Sequence, residues 1–390
     1  MKVRTSVRLV ASLVALGSLL LGTGLAPVPA GAQGSQPPDS VVLGARWLAS
    51  QLTPEGYVEG LFAPGPDPDA TRDVAFTLAA TGLEQESFNA AIGWIKTNIE
   101  EVIAPGDEPD GAGTLGVLIM IAVAVGEDPR NFGGVDLIVR LEATLGQYEA
   151  GLYGEADPTF DGVLRQSLAL LGLDSAGVTP AASAVTWLNG QQCGLGRPTA
   201  PASEGGFQNY SPPNTACGEP NASTYSGAET DATAVALSYY AGVDDQGRSD
   251  DAAAFLRSSQ SPAGGFPWYV GDVDSPNSTA LAIMGLFTAG GEESFDAGLA
   301  AIAWLEDQQL GCDSPDAGAF TSSYSDGAAD QFATRQAVLG VAGVTLPLNN
   351  TGWSASGDPC EQPDPGPGPG PGPAPSPTPI STPATPKFTG

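Results

Sequence analysis

A helix-length segment built around a large apolar anchor recurs along this chain at a nearly constant interval, and that regularity restricts the fold more than any other feature. The segments are ARWLASQ (Trp47), IGWIKTN (Trp94), IVRLEAT (Arg140 in the tryptophan slot), AVTWLNGQQ (Trp187), AAFLRSSQ (Phe255) and AIAWLEDQQ (Trp304). Successive anchors lie 47, 46, 47, 68 and 49 residues apart, so the fourth of six units carries an insertion of about twenty residues. A repeat of this length is one supersecondary unit, too small to bury its apolar face alone, and it gains a core by stacking on its neighbours.

Each anchor lies on an alanine-rich segment of helical period, and most units continue through Gln or Asn into a turn holding glycine and an aromatic. Such turns are Gly56-Tyr57, Gly205-Gly206-Phe207, Gly264-Gly265-Phe266 and Gly318-Ala319-Phe320. A second, more apolar stretch follows: DVAFTLAATG, TLGVLIMIAVAVG, GVLRQSLALLG, DATAVALSYYAG, STALAIMGLFTAG and TRQAVLGVAG. Most end in glycine, as helix C-termini often do. The pattern predicts an all-α fold over 41–347, a single closed (α/α)6 toroid of six helix pairs. The second helix of each pair, apolar nearly all round, forms the inner ring.

The ends lie outside that array. Residues 1–32 carry Lys2, Arg4 and Arg8, an apolar run Leu9 to Leu21 and a small-residue finish at Ala30-Gly31-Ala32, the pattern of a cleaved secretory signal. The apolar run is too short for a membrane span, which needs about 20 residues. Residues 348–360 form a closing segment, and 361–390 are a Pro/Gly-rich tail with 11 prolines, expected to be disordered and polyproline-like. The expected location is extracellular, with the cell wall as the alternative address.

Composition then removes several chemistries. There is no histidine, so Ser-His-Asp and Cys-His nucleophilic sites are out of reach, as is His-ligated zinc. With 44 acidic against 14 basic residues and no basic stripe, nucleic acid is not an expected partner. Four cysteines in an exported chain are expected to pair, and four allow three connectivities. Cys193 and Cys217 bracket the repeat-four insertion, while Cys312 opens the repeat-six loop and Cys360 ends the folded region. The local pairing Cys193 with Cys217 and Cys312 with Cys360 is the one predicted.

The repeat resembles that of the terpenoid cyclase and protein prenyltransferase superfamily, the prenyltransferase/squalene oxidase repeat proteins, over nearly all of 41–347. Gln260-Ser-Pro-Ala-Gly264-Gly265-Phe266 follows the family's glutamine, glycine and aromatic pattern with phenylalanine for tryptophan, and Gln51 to Tyr57 follows it loosely. The resemblance implies an α/α toroid. For the cyclases it implies an aspartic acid in a D-x-D-D-T-A pattern that protonates an alkene. Glu229-Thr230-Asp231-Ala232-Thr233-Ala234 matches with Glu229 and Ala232 in place of two aspartates, which puts Asp231 in the acid's position. The alternative role for Thr230 and Asp231 is to cap a buried helix. Cys217-Gly218-Glu219-Pro220 lacks the glutamine of a thioester motif. A two-carboxylate hydrolase would draw on Asp69, Asp73, Asp110, Asp161, Asp231 and Asp330, all at helix starts where capping already explains aspartate. Neither Asp67 to Asp73 nor Asp272 to Asn277 has the pattern of a twelve-residue calcium loop, and no metal or cofactor is expected.

Three function classes follow. The first is a secreted or surface toroid, non-catalytic, that binds an apolar or amphipathic small molecule, or a surface glycan, in its mouth. The second is a terpenoid-cyclase-type enzyme using Asp231 as general acid, and the third an adhesion or scaffold module. Candidate ligand contacts are Tyr225, Trp268, Tyr269 and Tyr324 on the loops before the inner helices, with Arg165 and Arg335 near inner-helix starts as anchors for an anionic or carbonyl group.

Overall fold

The structure, a computed structural model, describes residues 36–106, 108–155, 162–209, 215–348, 353 and 357–361. The leader assignment at 1–32, the tail from 362 onward, Asp161 and most of the closing segment lie outside the described residues.

The chain is mostly helical, and helix pairs follow the repeat. The first helix of each unit is α1 (Asp39–Ser50), α3 (Gln85–Thr97), α6 (Leu137–Ala143), α8 (Ala182–Asn189), α10 (Gln246–Ser259) and α12 (Glu292–Glu306). The second is α2 (Pro68–Thr81), α5 (Ala112–Ala124), α7 (Gly162–Ser175), α9 (Thr230–Gly242), α11 (Pro276–Ala289) and α13 (Gln331–Val341). Three features depart from the simple pairing: a five-residue helix α4 (Ile99–Ile103), the ladder of β1 (Val58–Glu59) with β2 (Pro66–Asp67), and that of β3 (Phe207–Gln208) with β4 (Ala228–Glu229). The second helices touch one another in chain order, and α13 packs against both α1 and α2. They are buried over most of their length, as in α5 from Leu115 to Ala122, which fits their all-round apolar sequence.

The recurrent loop motif has a mechanical explanation. After each loop glycine, a backbone N–H donates to a threonine four residues past the cap of the following helix: Val58 to Thr71, Phe207 to Thr233, Phe266 to Thr279 and Phe320 to Thr334, each at 2.8–2.9 Å. In the third unit Tyr153 donates instead to Gln166 Oε1. The loop is thereby tied to its own inner helix. The glutamine ending the outer helix ties it to the next unit, because Gln260 Nε2 donates to Gly264 O and across to Ala297 O on α12. Gln192 bonds Gly205 O and Arg248 O in the same way, and Gln309 bonds Gly318 O and Ser40 O. That last bond joins unit six to unit one. Glycine is needed in these turns for two reasons: Gly318 has φ +96°, and a Cβ there would fall 2.2 Å from Leu43 O of α1.

The tryptophan anchors serve the same joints. Trp187 Nε1 donates to Glu149 in the preceding loop at 2.8 Å, and Trp47 Nε1 donates to Asp316 in the loop of unit six at 3.3 Å. Arg140 replaces tryptophan where carboxylates can hold it, with Nε on Asp110 at 2.8 Å and a further pair to Glu100. The two disulfides are Cys193–Cys217 and Cys312–Cys360, the pairing expected from the sequence. No helix among the described residues is long and apolar enough to cross a membrane.

Candidate functional site at the start of helix α9

Inner helices begin where the long loops end, so their first turns share one end of the molecule with those loops. At α9 this end is unusual. Glu229 sits in β4 opposite Phe207, 2% exposed, and caps the helix by accepting the N–H groups of Asp231 and Ala232, both at 2.8 Å. The cap expected of Thr230 and Asp231 therefore belongs to Glu229, while Thr230 Oγ1 donates to Pro267 O in the neighbouring unit. Asp231 is left over from capping. It is partly exposed, yet its Oδ1 is shut away from solvent and has no hydrogen-bond partner.

The two carboxyls lie close enough to interact, and among the described residues no lysine or arginine pairs with either. Burial holds Glu229 well above the ordinary glutamate range, and the charge on Asp231 adds to it. The two capping N–H groups and the Trp268 indole oppose this less strongly. Burial likewise raises Asp231 from 3.8 to about 6, opposed by a hydrogen bond from Ser278. Each carboxyl therefore holds its proton to higher pH than an ordinary carboxylate, Asp231 to about 6, and the two titrations are linked. While it holds its proton, such a carboxyl donates a hydrogen bond, which an ionised carboxylate cannot do.

Asp231 forms part of the wall of an open cavity of about 670 Å³, with Trp268, Asp272, Ser275, Ser278 and Tyr324 among the other lining residues. Tyr324 is 87% exposed, and Tyr225 packs on Trp268 with ring centroids 5.9 Å apart. The rim position expected for Tyr269 needs correction. Its ring is 1% exposed and meets Trp268 edge-on at 5.0 Å, because the loop of unit five folds it inward while Trp268 stays on the cavity side. Burial and the charges of Glu229 and Asp231 raise the Tyr269 phenol, and its hydroxyl has no hydrogen-bond partner.

The two arginines lie away from the cavity wall. Arg335, 3% exposed, donates from Nε to Gln331 O at 3.1 Å, lies 3.6 Å from Asp73 and stacks 4.6 Å from the Phe332 ring. Arg165 bonds the carbonyl of Glu155 and packs beside Gly113 and Gly154. The structure thus gathers Asp231, Trp268, Tyr324 and, through Trp268, Tyr225. Glu229 joins them, although the sequence marked it only as a mismatch. Among the described residues no three acidic or cysteine side chains converge as a metal site.

No family model and no curated protein matches the chain. Solved structures do. A protein from Actinoplanes superposes with a TM-score of 0.55 at 17% identity, over 78% of this chain and 97% of that one. The type II terpene cyclase MstE from Scytonema gives 0.53 at 17%, over 78% and 97%. The chain has the α/α-toroid fold. The unsaturated glucuronyl hydrolase of Bacillus sp. GL1, which degrades glycosaminoglycan, is a third such toroid, at 0.52 and 14% identity over 80% and 98%. One toroid architecture thus carries a cyclase and a glycan hydrolase, so function has to be read from the side chains at the mouth.

Proposed function

We propose that this is an extracellular, closed six-unit toroid that binds an amphipathic, hydroxyl-bearing small molecule or glycan end in the mouth beside α9. The observation that carries the reading is Asp231, a carboxyl raised to about 6 with Oδ1 unpartnered, on the wall of a cavity shared with Trp268 and Tyr324. The aromatic faces accept the apolar side of a ligand, and the serines and carboxyls accept its hydroxyls. Anionic ligands are disfavoured at a corner that holds Glu229, Asp231 and Asp272, none of them paired with a cation among the described residues. Residues 1–32 act as the export signal in this reading, and the two disulfides fit an oxidising compartment.

A cyclase-type reaction with Asp231 as general acid is the second reading, favoured by the same raised carboxyl. The cavity lining weighs against it. Carbocation chemistry needs a dry, apolar enclosure, whereas Asp272, Ser275 and Ser278 line an open one.

Titration of tryptophan fluorescence against a panel of isoprenoids, corrinoids and neutral oligosaccharides tests the proposal. Saturable quenching by a hydroxyl-bearing member, lost in Trp268→Ala with the melting temperature unchanged, supports it. Saturable binding that survives Trp268→Ala moves the site elsewhere, and cyclised product from a polyprenyl substrate, absent in Asp231→Asn, establishes the second reading. No binding across the panel leaves the adhesion module in its place.

A further inference from the structure

Three aromatic rings of the fold are faced by the chain's own cations. Lys96 lies 5.0 Å from the Phe132 ring, Arg248 5.8 Å from that of Tyr240 and Arg335 4.6 Å from that of Phe332. Each of these cations also has a carboxylate partner: Glu127 for Lys96, Asp245 for Arg248 and Asp73 for Arg335. The scaffold thus repeats one arrangement, a cation set against a ring face and a carboxylate.

The mouth beside α9 holds the ring and the carboxylate without the cation. Trp268 and Tyr324 line the cavity as rings, and Asp231 and Asp272 line it as acids. Among the described residues no lysine or arginine lines the cavity, and none stacks on Trp268 or Tyr324. Glu229 holds both sides of this corner. It caps α9 through the N–H groups of Asp231 and Ala232, and it accepts a hydrogen bond from the Trp268 indole. Tyr225 packs on the same indole with the ring planes inclined by 54°. Two polar groups are left open within this frame. One is Asp231 Oδ1, and the other is the hydroxyl of the buried Tyr269, which lies in the field of Glu229, Asp231 and Asp272.

Aromatic faces carry negative potential, and neighbouring carboxylates add to it, so the missing component is positive. Its chemistry is organic. A ring face favours a weakly hydrated ammonium, and among the described residues no three acidic or cysteine side chains converge on a metal ion. An acidic surface, with 44 acidic against 14 basic residues in the chain, also draws cations towards the mouth. On the reading of this mouth as a ligand site, we propose that the group it recognises is an organic ammonium, set against the Trp268 and Tyr324 rings and countered by Asp231 and Asp272. The open cavity of about 670 Å³ leaves room for the hydroxyl-bearing remainder of such a molecule.

The probes are choline and ethanolamine, each paired with the neutral analogue in which carbon replaces the charged nitrogen, dimethylbutanol and propanol. They are titrated into the full chain by calorimetry at pH 7.5, above the Asp231 midpoint of about 6. At least one ammonium should bind saturably and at least about 10-fold more tightly than its neutral analogue. Preference for choline assigns recognition chiefly to the rings, and preference for ethanolamine assigns it chiefly to the carboxylates. Tyr324→Ala, at an exposed ring, and Asp231→Asn should each weaken ammonium binding by at least about 5-fold. The absence of saturable ammonium binding overturns the proposal, as does equal affinity for an ammonium and its analogue. Ammonium binding indifferent to both substitutions also overturns it, by placing the cation elsewhere on the acidic surface. In each of those cases, neutral oligosaccharide binding that is lost in Trp268→Ala would keep the mouth as a ligand site, so the two readings fail separately.

Discussion

The starts of α9 and α13 are built to one plan and used differently. Both helices are capped by a carboxylate, Glu229 and Asp330, and both receive a loop N–H on the threonine four residues later, Thr233 and Thr334. At α13 the next residue is Arg335, which faces Asp73 of α2 across the joint, and Asp73 is held on its other side by Arg72 at 2.8 Å. Acid and base are matched there, as expected where two units must hold together. At α9 the acids Glu229 and Asp231 have no matching base among the described residues, and a cavity opens beside Asp231. In the proposed reading, compensated carboxyls belong to the scaffold and the uncompensated pair to the binding site.

The shared scaffold gives the largest expected effect. Gly318→Val puts a branched side chain at φ +96° with its Cβ 2.2 Å from Leu43 O, in the joint between units six and one. It should destabilise by roughly 3 kcal/mol or more in urea titration, because backbone strain and overpacking add. Arg335→Ala comes next. It removes a buried side chain and its pairing with Asp73 and should cost about 2–4 kcal/mol. A smaller loss, under about 1 kcal/mol, would mean that α13 is no more dependent on charge matching than α9 is.

Asp231→Asn should act in the opposite direction. A carboxyl with a raised folded pKa makes the folded state hold its proton while the unfolded chain loses it, so stability falls as pH rises from about 4 to about 6 and is level above. Removing the ionisable group removes that fall. The variant should be more stable than the parent by about 1–3 kcal/mol at pH 7.5 and no more stable at pH 3.5, by thermal melts at both. Tyr324→Ala, at an exposed ring, should change stability by less than about 0.5 kcal/mol, so any loss of ligand binding reports the mouth alone.

Much of the scaffold was legible because each of its devices is local. Helix pairs appear as periodic apolar runs, the joints as Gln, Gly and aromatic at short spacing, and Cys193 and Cys217 as a bracket around one insertion, with Cys312 and Cys360 at the start of the last loop and the end of the folded region. The site was legible only in part. Asp231 and Trp268 stand out by type and neighbourhood, but Glu229 reads as an imperfect motif residue until β3 pairs with β4 across the repeat-four insertion and buries it. The inward turn of Tyr269 depends on how unit five packs against α9, where Thr230 N–H and hydroxyl hold the carbonyls of Trp268 and Pro267. Such contacts between units leave no spacing signal in the sequence. Arg335 suggested a ligand anchor because basic residues are scarce, and only its stacking on Phe332 and approach to Asp73 reveal a joint residue.

The most direct test of the uncompensated pair is a carboxyl-carbon NMR titration of the full chain with Glu229 and Asp231 assigned by Glu229→Gln and Asp231→Asn. The account predicts Asp231 titrating at about 6 and Glu229 well above the ordinary glutamate range, with the Glu229 midpoint lowered in Asp231→Asn. Two independent midpoints near 4 would contradict it, and the start of α9 would then be one more capped helix end.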